Sequence, residues 1–325
     1  MNIDSSELSH WRTVIIRERD VGRRIDAYLA KRFPSYSRTK IVQYIREGRV
    51  VSESRKLKPS TLLQMGERLR LYVPGLVPTT PPPPLPEVLY EDDRIIVANK
   101  PSGMLVHPAG DTFVWALIGL FKTARPDGQL DLVHRIDRET SGTIVLTKDK
   151  EANAFLKTKF ANREVQKTYH AIVKGAPEWE VQDINAPIGI DEDSEIRLRR
   201  CVIEGGQYSH TTATVLQRMN GYSLVECALH TGRTHQIRVH MEHVGYPLLG
   251  DKLYGNPDWV FLDYLRYRET ERMREHIRFP RHCLHAAIIR FPHPSGGFKK
   301  IRAPLPVDMQ SIVDGALPHW KKTEQ

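Results

Sequence analysis

A proline-rich stretch between residues 74 and 86 divides this chain into a short N-terminal part and a long C-terminal part. It contains the run PTTPPPPLP, and proline has no backbone N–H to donate and clashes with a preceding helical turn. Neither a helix nor a central strand can therefore continue through it. We predict a semi-rigid polyproline II linker at residues 75–86 that holds two domains apart. A docking site for a proline-binding partner is the alternative.

The basic charge of the chain lies before this linker. The 325 residues include 48 Lys and Arg against 39 Asp and Glu, which gives a formal net charge of +9. Residues 23–74 hold 13 of the basic and 4 of the acidic residues, so the rest of the chain is balanced at 35 of each. A focused basic patch attracts a polyanion with an affinity that falls as salt rises. Composition alone also allows a solvated basic surface without a ligand.

Residues 23–74 have the pattern of two amphipathic helices followed by β-type runs. In RRIDAYLAKRF the apolar residues recur at helical spacing, and in SRTKIVQYIREG Ser37 is suited to be the N-cap and Gly48 the C-terminal stop. The following segment ends in the alternation RLRLYV, which is typical of a strand. We predict a compact, basic α+β module at residues 23–74, preceded by an N-terminal extension at residues 1–22.

From residue 87 to about residue 306, many short β-type runs are separated by fewer helical segments. The runs are RIIVANK, GTIVLTK, TYHAIVKG, TATVLQRM, YSLVECAL and HAAIIRF, and EANAFLKTKFANRE is helical in pattern. The order lacks the strict βαβ alternation of a parallel sheet, so we predict an α+β domain with a mixed, largely antiparallel central sheet and flanking helices. Its predicted limits are residues 87–310, with a C-terminal tail at 311–325 and a charged helical insertion at 256–281.

Cysteine and histidine usage argues against disulfide and metal sites. The three cysteines, Cys201, Cys227 and Cys283, are odd in number and widely spaced, unlike a disulfide framework or a zinc ribbon. The neighbouring histidines at 235, 240 and 243 do not share one face of a strand. The start, MNIDSSELSHW, lacks the apolar core of a signal peptide, and no apolar run approaches the ~20 residues of a membrane span. We expect a cytoplasmic protein without a metal and without membrane association.

The segment LVHRIDRETSGTIVLTKDK, residues 132–150, has an arrangement in which catalytic groups are commonly presented. His134, Arg135 and Asp137 lie in a polar loop, Thr140 opens a turn, and a buried strand follows. Taken alone, an aspartate in a turn is more often a cap or an ion-pair partner than a catalytic group. The residues by themselves therefore leave its role open.

This segment closely resembles the signature HRLDxxTSG of the RluA-type pseudouridine synthases, with Ile136 as the only change. Further blocks resemble that family in order and spacing: VLYEDDRIIVANKPSGMLVHP, VQKTYHAIVKG, LHTGRTHQIRVHMEHVGYPLLGDKLYG and CLHAA. Together with the N-terminal module, the likeness covers most of the chain. The resemblance implies the fold of those enzymes and their reaction, the isomerisation of uridine to pseudouridine in RNA.

The resemblance also implies roles for individual residues. Asp137 matches the family's catalytic carboxylate. Tyr169 matches the tyrosine that lies against the uracil, and it is also expected to be catalytic by helping to remove the proton from C5. Arg233 matches the arginine that pairs with the carboxylate and keeps it ionised. The residues expected on the same ground to bind the substrate are Arg135, Ile237, His134 and Thr140.

The N-terminal module resembles the alpha-L RNA-binding motif first described in a ribosomal small-subunit protein. The likeness rests on the arginine-rich helix pair, on Ser37 and Arg38 at the start of the second helix, and on the Gly-x-Val turn that begins at Gly48. After Val51 the sequence SESRKLKPS replaces the Asn-Gly turn that is common there. The residues expected to bind RNA are Arg23, Arg24, Arg38, Lys40, Arg46 and Arg49.

Large-subunit ribosomal RNA is the expected partner, because this module accompanies many family members with that substrate, and transfer RNA is the alternative. We expect a monomer. The reaction involves neither redox change nor hydrolysis, so it demands no cofactor and no metal. Two other functions compete with it. One is a non-catalytic RNA-binding or assembly protein that keeps the fold, and the other is a nucleoside hydrolase-like glycosidase for small substrates, against which the basic module argues.

Overall fold

The computed structural model describes residues 12–33, 36–71, 82–107, 116–125, 128–267 and 270–316 of the chain. The chain divides into two compact units, residues 1–83 with 107–116 and residues 84–106 with 117–325. The division after residue 83 falls within the proline-rich stretch. Most of the predicted linker at residues 75–86 lies outside the described residues.

The N-terminal unit combines a three-stranded antiparallel sheet with two helices. Its strands are β1 (Arg12–Ile15), β2 (Val50–Ser52) and β3 (Arg68–Leu71), in the order β1-β3-β2. Its helices are α1 (Ile25–Arg32) and α2 (Arg38–Arg46), at the places that the sequence predicts. Strand β1 lies within the stretch predicted as an extension, so the sheet of this unit starts before residue 23.

Apolar burial and helix caps explain this small fold. Ile25 and Leu29 of α1 and Ile41 of α2 are at most 1% exposed and belong to one core with residues of the sheet. The Ser37 hydroxyl accepts a hydrogen bond of 3.2 Å from the backbone N–H of residue 40, which caps α2. Gly48 follows the helix with a φ of 73°, a conformation that glycine adopts most easily. The predicted cap and stop of α2 are therefore confirmed.

The large unit is built on a mixed, largely antiparallel sheet. The strands of this unit are β4 (Val88–Glu91), β5 (Ile95–Lys100), β6 (Asp131–Leu132), β7 (Ser141–Thr147), β8 (Gln166–Lys174), β9 (Val181–Asn185), β10 (Ile188–Ile190), β11 (Arg200–Val202), β12 (His210–Arg218), β13 (Tyr222–Leu229), β14 (Leu284–Pro292) and β15 (Phe298–Arg302). In the sheet the order is β4-β5-β7-β14-β8-β13-β12-β9, with β6 beside β7 and β15 beside β14. Strands β10 and β11 form a separate ribbon.

Among the described strand pairs of the main sheet, only β7 and β14 are parallel. This confirms the predicted α+β class. The helices of the unit are α3 (Leu117–Ala124), α4 (Lys150–Ala161), α5 (Gln236–His243), α6 (Asp258–Tyr267), α7 (Glu271–Ile277) and α8 (Val307–Val313). The segment predicted as a helical insertion contains α6 and α7, and α8 lies across the predicted start of the tail at residue 311. Within the described ranges, no helix has both the length and the apolar character needed to cross a bilayer.

The central strands bring distant segments of the chain to one place. Strands β7 and β8 both pair with β14, and β8 also pairs with β13. The loop before β7, the start of β8 and the turn after β13 consequently line one cavity. Gly142 allows the β7–β14 contact, because its φ is +108° and a Cβ there would overlap the backbone of Ala286. Only glycine tolerates both conditions, which explains the glycine of the TSG triplet.

Candidate active site

A cavity of about 520 Å³ opens where those segments meet. It is lined by every residue that the sequence assigns to catalysis or substrate binding: Asp137, Tyr169, Arg233, Arg135, Ile237, His134 and Thr140. Its volume lies within the range of ~300–1,000 Å³ that is usual for small-molecule pockets. The structure thus brings the predicted group together, although it gives some members contacts that differ from the predicted ones.

The carboxylate of Asp137 is paired with Arg238. Arg238 Nη1 lies 3.2 Å from Asp137 Oδ2, and the Asp137 side chain is 29% exposed, so it remains accessible from the cavity. Burial on its own would raise the pKa of Asp137. The charge of Arg238 is the largest effect that opposes burial, and the pKa of Asp137 lies below its usual value. Asp137 is therefore ionised at neutral pH.

A second carboxylate, Asp251, holds Arg238 from the other side. Arg238 Nε and Nη2 donate to the two oxygens of Asp251 at 2.6 and 2.9 Å. Asp251 is fully buried, and the amides of Leu253 and Tyr254 donate to its Oδ1 at 2.8 and 3.0 Å. Burial works against both charges, yet their pairing lowers the pKa of Asp251 and raises the pKa of Arg238. The guanidinium is thus fixed in place before any substrate binds.

The structure corrects the predicted ion pair between Arg233 and Asp137. Arg233 lies in the turn before α5, where its backbone N–H donates to Gln236 Oε1 at 3.0 Å and its Nε donates to the Tyr208 carbonyl at 3.1 Å. These contacts hold Arg233 beside Tyr208, which is 50% exposed. Arg238 follows five residues later in a buried helix and reaches Asp137 instead.

Arg238 and Asp251 were missed by the sequence reasoning, although one signal for Arg238 was available. Arg238 stands between the apolar residues Ile237 and Val239, and all three are buried. A charge in a buried segment requires a partner of opposite charge. The sequence around Asp251 gives no comparable indication, because its ion pair with Arg238 joins separate segments of the fold.

His235 lies next to Asp137 and is neutral. Its Nε2 is 3.8 Å from Asp137 Oδ2, and its Nδ1 is 2.8 Å from the Tyr254 hydroxyl. That hydroxyl accepts the amide of Arg200 at 3.1 Å, so it can give its own proton to His235 Nδ1 and leave the Nε2–H on the side of Asp137. Burial, reinforced by Arg238, lowers the pKa of His235 to about 4. The neutral His235 ring therefore lies beside Asp137, beyond hydrogen-bond distance, and adds no second charge.

Tyr169 and Ile237 supply apolar walls of the cavity. They are 8% and 4% exposed, and Leu284 completes the lining at 5%. Burial, followed by the nearby charge of Asp137, raises the pKa of Tyr169, so its phenol is neutral. No residue in the described part of the chain hydrogen-bonds the Tyr169 hydroxyl. Both the ring and the hydroxyl are therefore available to a ligand.

The polar atoms of His134 and Thr140 are bonded to the protein itself. His134 Nε2 accepts the amide of Val145 at 3.0 Å, and Thr140 Oγ1 lies 2.8 Å from His282 Nε2. These bonds fix the two ends of the loop that carries Asp137. The two residues line the cavity mainly as parts of its wall. Arg135 differs from them, because its side chain is exposed at the cavity.

Lys100 anchors the same loop, a role that is not evident from the sequence. Its side chain is fully buried, and its Nζ donates to the carbonyls of Pro101, Met104 and Arg138 at 2.9, 2.8 and 2.9 Å. Burial lowers the pKa of Lys100 to about 7. The Lys-Pro-x-Gly turn therefore holds the backbone directly after Asp137.

Comparison with known proteins agrees with this geometry. Residues 94–243 match the family model described as RNA pseudouridylate synthase, and residues 23–69 match the S4 domain. A Bacillus subtilis (strain 168) protein named uncharacterized RNA pseudouridine synthase YlyB is 34% identical over 312 residues, which cover 91% of this chain and 95% of that protein. The chain belongs to the RNA pseudouridine synthase family.

Further relatives of the synthase agree with this assignment. Ribosomal large subunit pseudouridine synthase D of Neisseria meningitidis serogroup A / serotype 4A (strain DSM 15465 / Z2491) is 36% identical over 303 residues, which cover 90% of this chain and 78% of that protein. The solved structure titled Human RNA Pseudouridylate Synthase Domain Containing 4 is similar with a TM-score of 0.52 and 28% identity. The match covers 68% of this chain and 88% of the chain in that structure. The resemblances drawn from the catalytic signature and from the N-terminal module are thereby confirmed.

The cations expected to bind RNA in the S4 unit of the synthase are partly held by its acids. Asp26 is 2% exposed and accepts hydrogen bonds of 3.0 Å from Arg24 and from Arg38. The bond from Arg24 makes the largest contribution to lowering the pKa of Asp26 to about 2. The side chains of Arg24 and Arg38 nevertheless remain 48% and 57% exposed. Their outer faces are thus positioned by the pairing and remain open to solvent.

The other expected RNA-binding residues differ in how free they are. Arg49 is 21% exposed and lies 2.6 Å from Glu47 Oε2, so it is largely committed to the protein. Arg23 is 3.4 Å from Asp20, and Lys40 donates to a neighbouring glutamine at 3.2 Å. Arg46 is exposed and has no hydrogen bond or ion pair among the described residues.

One group of side chains in the described part of the synthase has the composition of a metal site. The ligand atoms of Asp183, His210 and His230 lie within 4.8 Å of one another. His210 Nε2 is 2.6 Å from Asp183 Oδ1, and the Thr212 hydroxyl is 2.9 Å from Asp183 Oδ1 and 2.9 Å from His230 Nε2. These hydrogen bonds account for the arrangement, and none of the histidines at 235, 240 and 243 belongs to it.

Proposed function

We propose that this synthase converts specific uridines of large-subunit ribosomal RNA into pseudouridine, with Asp137 as the catalytic carboxylate. The observation that carries the proposal is an ionised Asp137, paired with the buried Arg238, in a cavity walled by Tyr169 and Ile237. The name of the Neisseria relative supports a large-subunit substrate. Transfer RNA is the other candidate.

The reaction breaks one bond and forms another within the same nucleotide. The glycosidic bond from N1 to C1′ of uridine breaks, the uracil turns, and its C5 joins C1′. The C5 proton is lost and N1 gains one, so atoms and electrons balance without a cofactor. A carboxylate at C1′ can attack the sugar or stabilise the positive charge that develops there. We assign that position to Asp137.

The surroundings of Asp137 suit this role. A bound base would exclude water, and an isolated aspartate would then tend toward its neutral form. The charge of Arg238 opposes this. Because Asp251 fixes Arg238 from behind, the carboxylate is oriented before RNA arrives, which reduces the reorganisation needed during the reaction.

We assign Tyr169 and Ile237 to the two faces of the extruded uracil. Flipping a base out of its stack costs a few kcal/mol, and stacking on an aromatic ring is worth about 1–3 kcal/mol per base. The raised pKa of Tyr169 disfavours its phenolate. We therefore assign the ring to stacking and do not assign it to removal of the C5 proton.

The S4 unit is assigned to the phosphate backbone of the RNA. Its exposed cations Arg24, Arg38 and Arg46 would bind without reading the base sequence. We further propose that the synthase works as a monomer in the cytoplasm. The three cysteines are unpaired, as is usual in a reducing compartment.

Pseudouridine mapping across total RNA from cells that lack this gene tests the proposal. We expect pseudouridine to be lost at defined positions of large-subunit ribosomal RNA, and to be restored by the wild-type gene but not by Asp137→Asn. Loss confined to transfer RNA would transfer the substrate assignment to that RNA. Restoration by Asp137→Asn would contradict the catalytic role and favour an RNA-binding or assembly protein.

A further inference from the structure

Lys167 is a half-buried cation that lines the active-site cavity without a protein partner. It lies on β8, two residues before Tyr169. Within the described residues, its Nζ makes neither a hydrogen bond nor an ion pair. Burial lowers the pKa of Lys167, and no carboxylate opposes that effect.

Other buried cations of the same unit have partners. Lys100 is held by three carbonyls, Lys252 by Glu139 at 2.6 Å, Arg238 by Asp251 at 2.6 Å, and Arg281 by Asp308 at 2.6 Å. A charge that leaves water without a partner is unfavourable. Lys167 is therefore in a position that an anion from a ligand would stabilise.

The composition of the cavity also favours an anion. Asp137 is the single acidic residue among the described residues that line it, and it is already paired with Arg238. The arginines Arg135, Arg163 and Arg233 line the cavity together with Lys167. The reacting parts of a nucleotide, uracil and ribose, carry no charge, whereas its phosphate does.

The geometry of β8 gives the position of such an anion. Alternate residues of a strand point to the same face, so Lys167 and Tyr169 face the cavity together, about 7 Å apart along the strand. The Lys167 ammonium lies against Gly232, where an added Cβ would be 3.0 Å from Nζ. The absence of a side chain at Gly232 gives the ammonium room in this position.

We propose that Lys167 binds a phosphate of the RNA strand next to the target uridine while Tyr169 contacts the base. The proposal rests on the proposed function of the cavity. The two positions lie about 7 Å apart along the strand, a separation comparable with that between the base and the phosphate of one nucleotide. Lys167 is then a substrate-binding residue that sets the register of the strand, since phosphate contacts position a nucleic acid.

Salt-dependent binding of a short oligouridylate tests the contact. Fluorescence anisotropy is measured in the inactive Asp137→Asn background with Lys167→Met, with Lys167→Arg and with the control Lys157→Met, which removes an exposed lysine of α4. One lost phosphate contact reduces the slope of log K against log salt by about 0.7 for a single strand. We expect the slope for Lys167→Met to be reduced by roughly this amount. We expect its affinity to be about tenfold lower. Lys167→Arg should keep both, and Lys157→Met should match the parent.

Two binding results would overturn the inference. One is an unchanged salt slope in Lys167→Met. The other is an equal loss in Lys167→Met and Lys167→Arg, because charge would then not be the property that matters. A fall in the thermal midpoint of Lys167→Met would also count against it, since removal of an unpaired buried charge should leave the midpoint equal or higher.

Kinetics on an unmodified transcript of large-subunit ribosomal RNA separate this inference from the proposed function. If the wild-type synthase forms no pseudouridine, the proposed function fails, while the binding experiment still decides on Lys167 because it needs no turnover. With an active wild type, Lys167→Met should raise KM and leave kcat within about threefold. A fall in kcat at unchanged KM that Lys167→Arg does not restore would make Lys167 a proton-transfer group and would overturn phosphate binding.

Discussion

Replacing Arg238 by methionine should shift the pH dependence of the reaction, whereas replacing Arg233 should not. Arg238 donates to Asp137 at 3.2 Å, while Arg233 is bonded to Gln236 and Tyr208 at the rim of the same cavity. The two arginines come from one sequence block, so they form a matched pair. The comparison therefore tests which of them keeps Asp137 ionised.

The size of the shift follows from the contact between Arg238 and Asp137. An opposite charge at this distance lowers the pKa of an aspartate by ~1–3 units, which corresponds to ~1.4–4 kcal/mol. Without Arg238, burial would act with less opposition and the pKa of Asp137 would rise. In the wild type the rate should be independent of pH near neutrality, because Asp137 stays ionised. In Arg238→Met the acid limb of the pH–rate profile should move to higher pH by ~1–3 pH units.

Loss of Arg238 also leaves the buried Asp251 without its partner. Removing one member of a buried ion pair costs about 3–5 kcal/mol, which is a large part of the ~5–15 kcal/mol that holds a domain folded. The double variant Arg238→Met with Asp251→Asn removes both charges and keeps an amide oxygen for the backbone donors of Leu253 and Tyr254. It is the better background for the pH profile.

Single-turnover rates of pseudouridine formation, measured across a pH series, give the acid limb of each variant. Near-ultraviolet circular dichroism confirms that each variant is folded. An acid limb that does not move in the double variant would refute the assignment of Arg238. So would an acid limb that moves by the same amount in Arg233→Met.

Three further predictions concern the fold and the base site. Gly142→Ala should destabilise the large unit by several kcal/mol, on the order of 3 or more in urea unfolding, because the Cβ would overlap Ala286. The pKa of Asp26 is lowered to about 2, so its ion pairs should stabilise the N-terminal unit above about pH 4, and this stabilisation should be lost as pH falls toward 2. Asp26→Asn should remove this pH dependence from the hydrogen exchange of the α1 amides. Tyr169→Phe should keep the RNA affinity measured by anisotropy, whereas Tyr169→Ala should lose about 1–3 kcal/mol of stacking.

Short-range chemistry made part of the fold predictable. Ser37 and Gly48 bound α2 through a cap and a left-handed turn that depend only on neighbouring residues. Strand β1 was not recognised, because four residues carry too little periodicity to be distinguished from a loop. It becomes a strand by pairing with β3, far along the chain. Such a pairing depends on tertiary structure and leaves little trace in the local sequence.

The same distinction applies to the candidate site. The family signature identified residues that line the cavity, but it did not identify the contacts among them. Arg233 and Arg238 both occur in GRTHQIR, and the start of α5 at Gln236 decides which one is buried next to Asp137. The role of Lys100 also depends on its burial against three carbonyls from two segments, which no local pattern encodes.

The proposed catalytic role of Asp137 is tested most directly by single-turnover kinetics of purified Asp137→Asn beside the wild type, on one RNA that the wild type modifies. We expect the variant to bind this RNA within about threefold of the wild type and to form pseudouridine at least about ten-thousand-fold more slowly. A rate of pseudouridine formation close to that of the wild type would show that the Asp137 carboxylate is not the group that acts on the sugar.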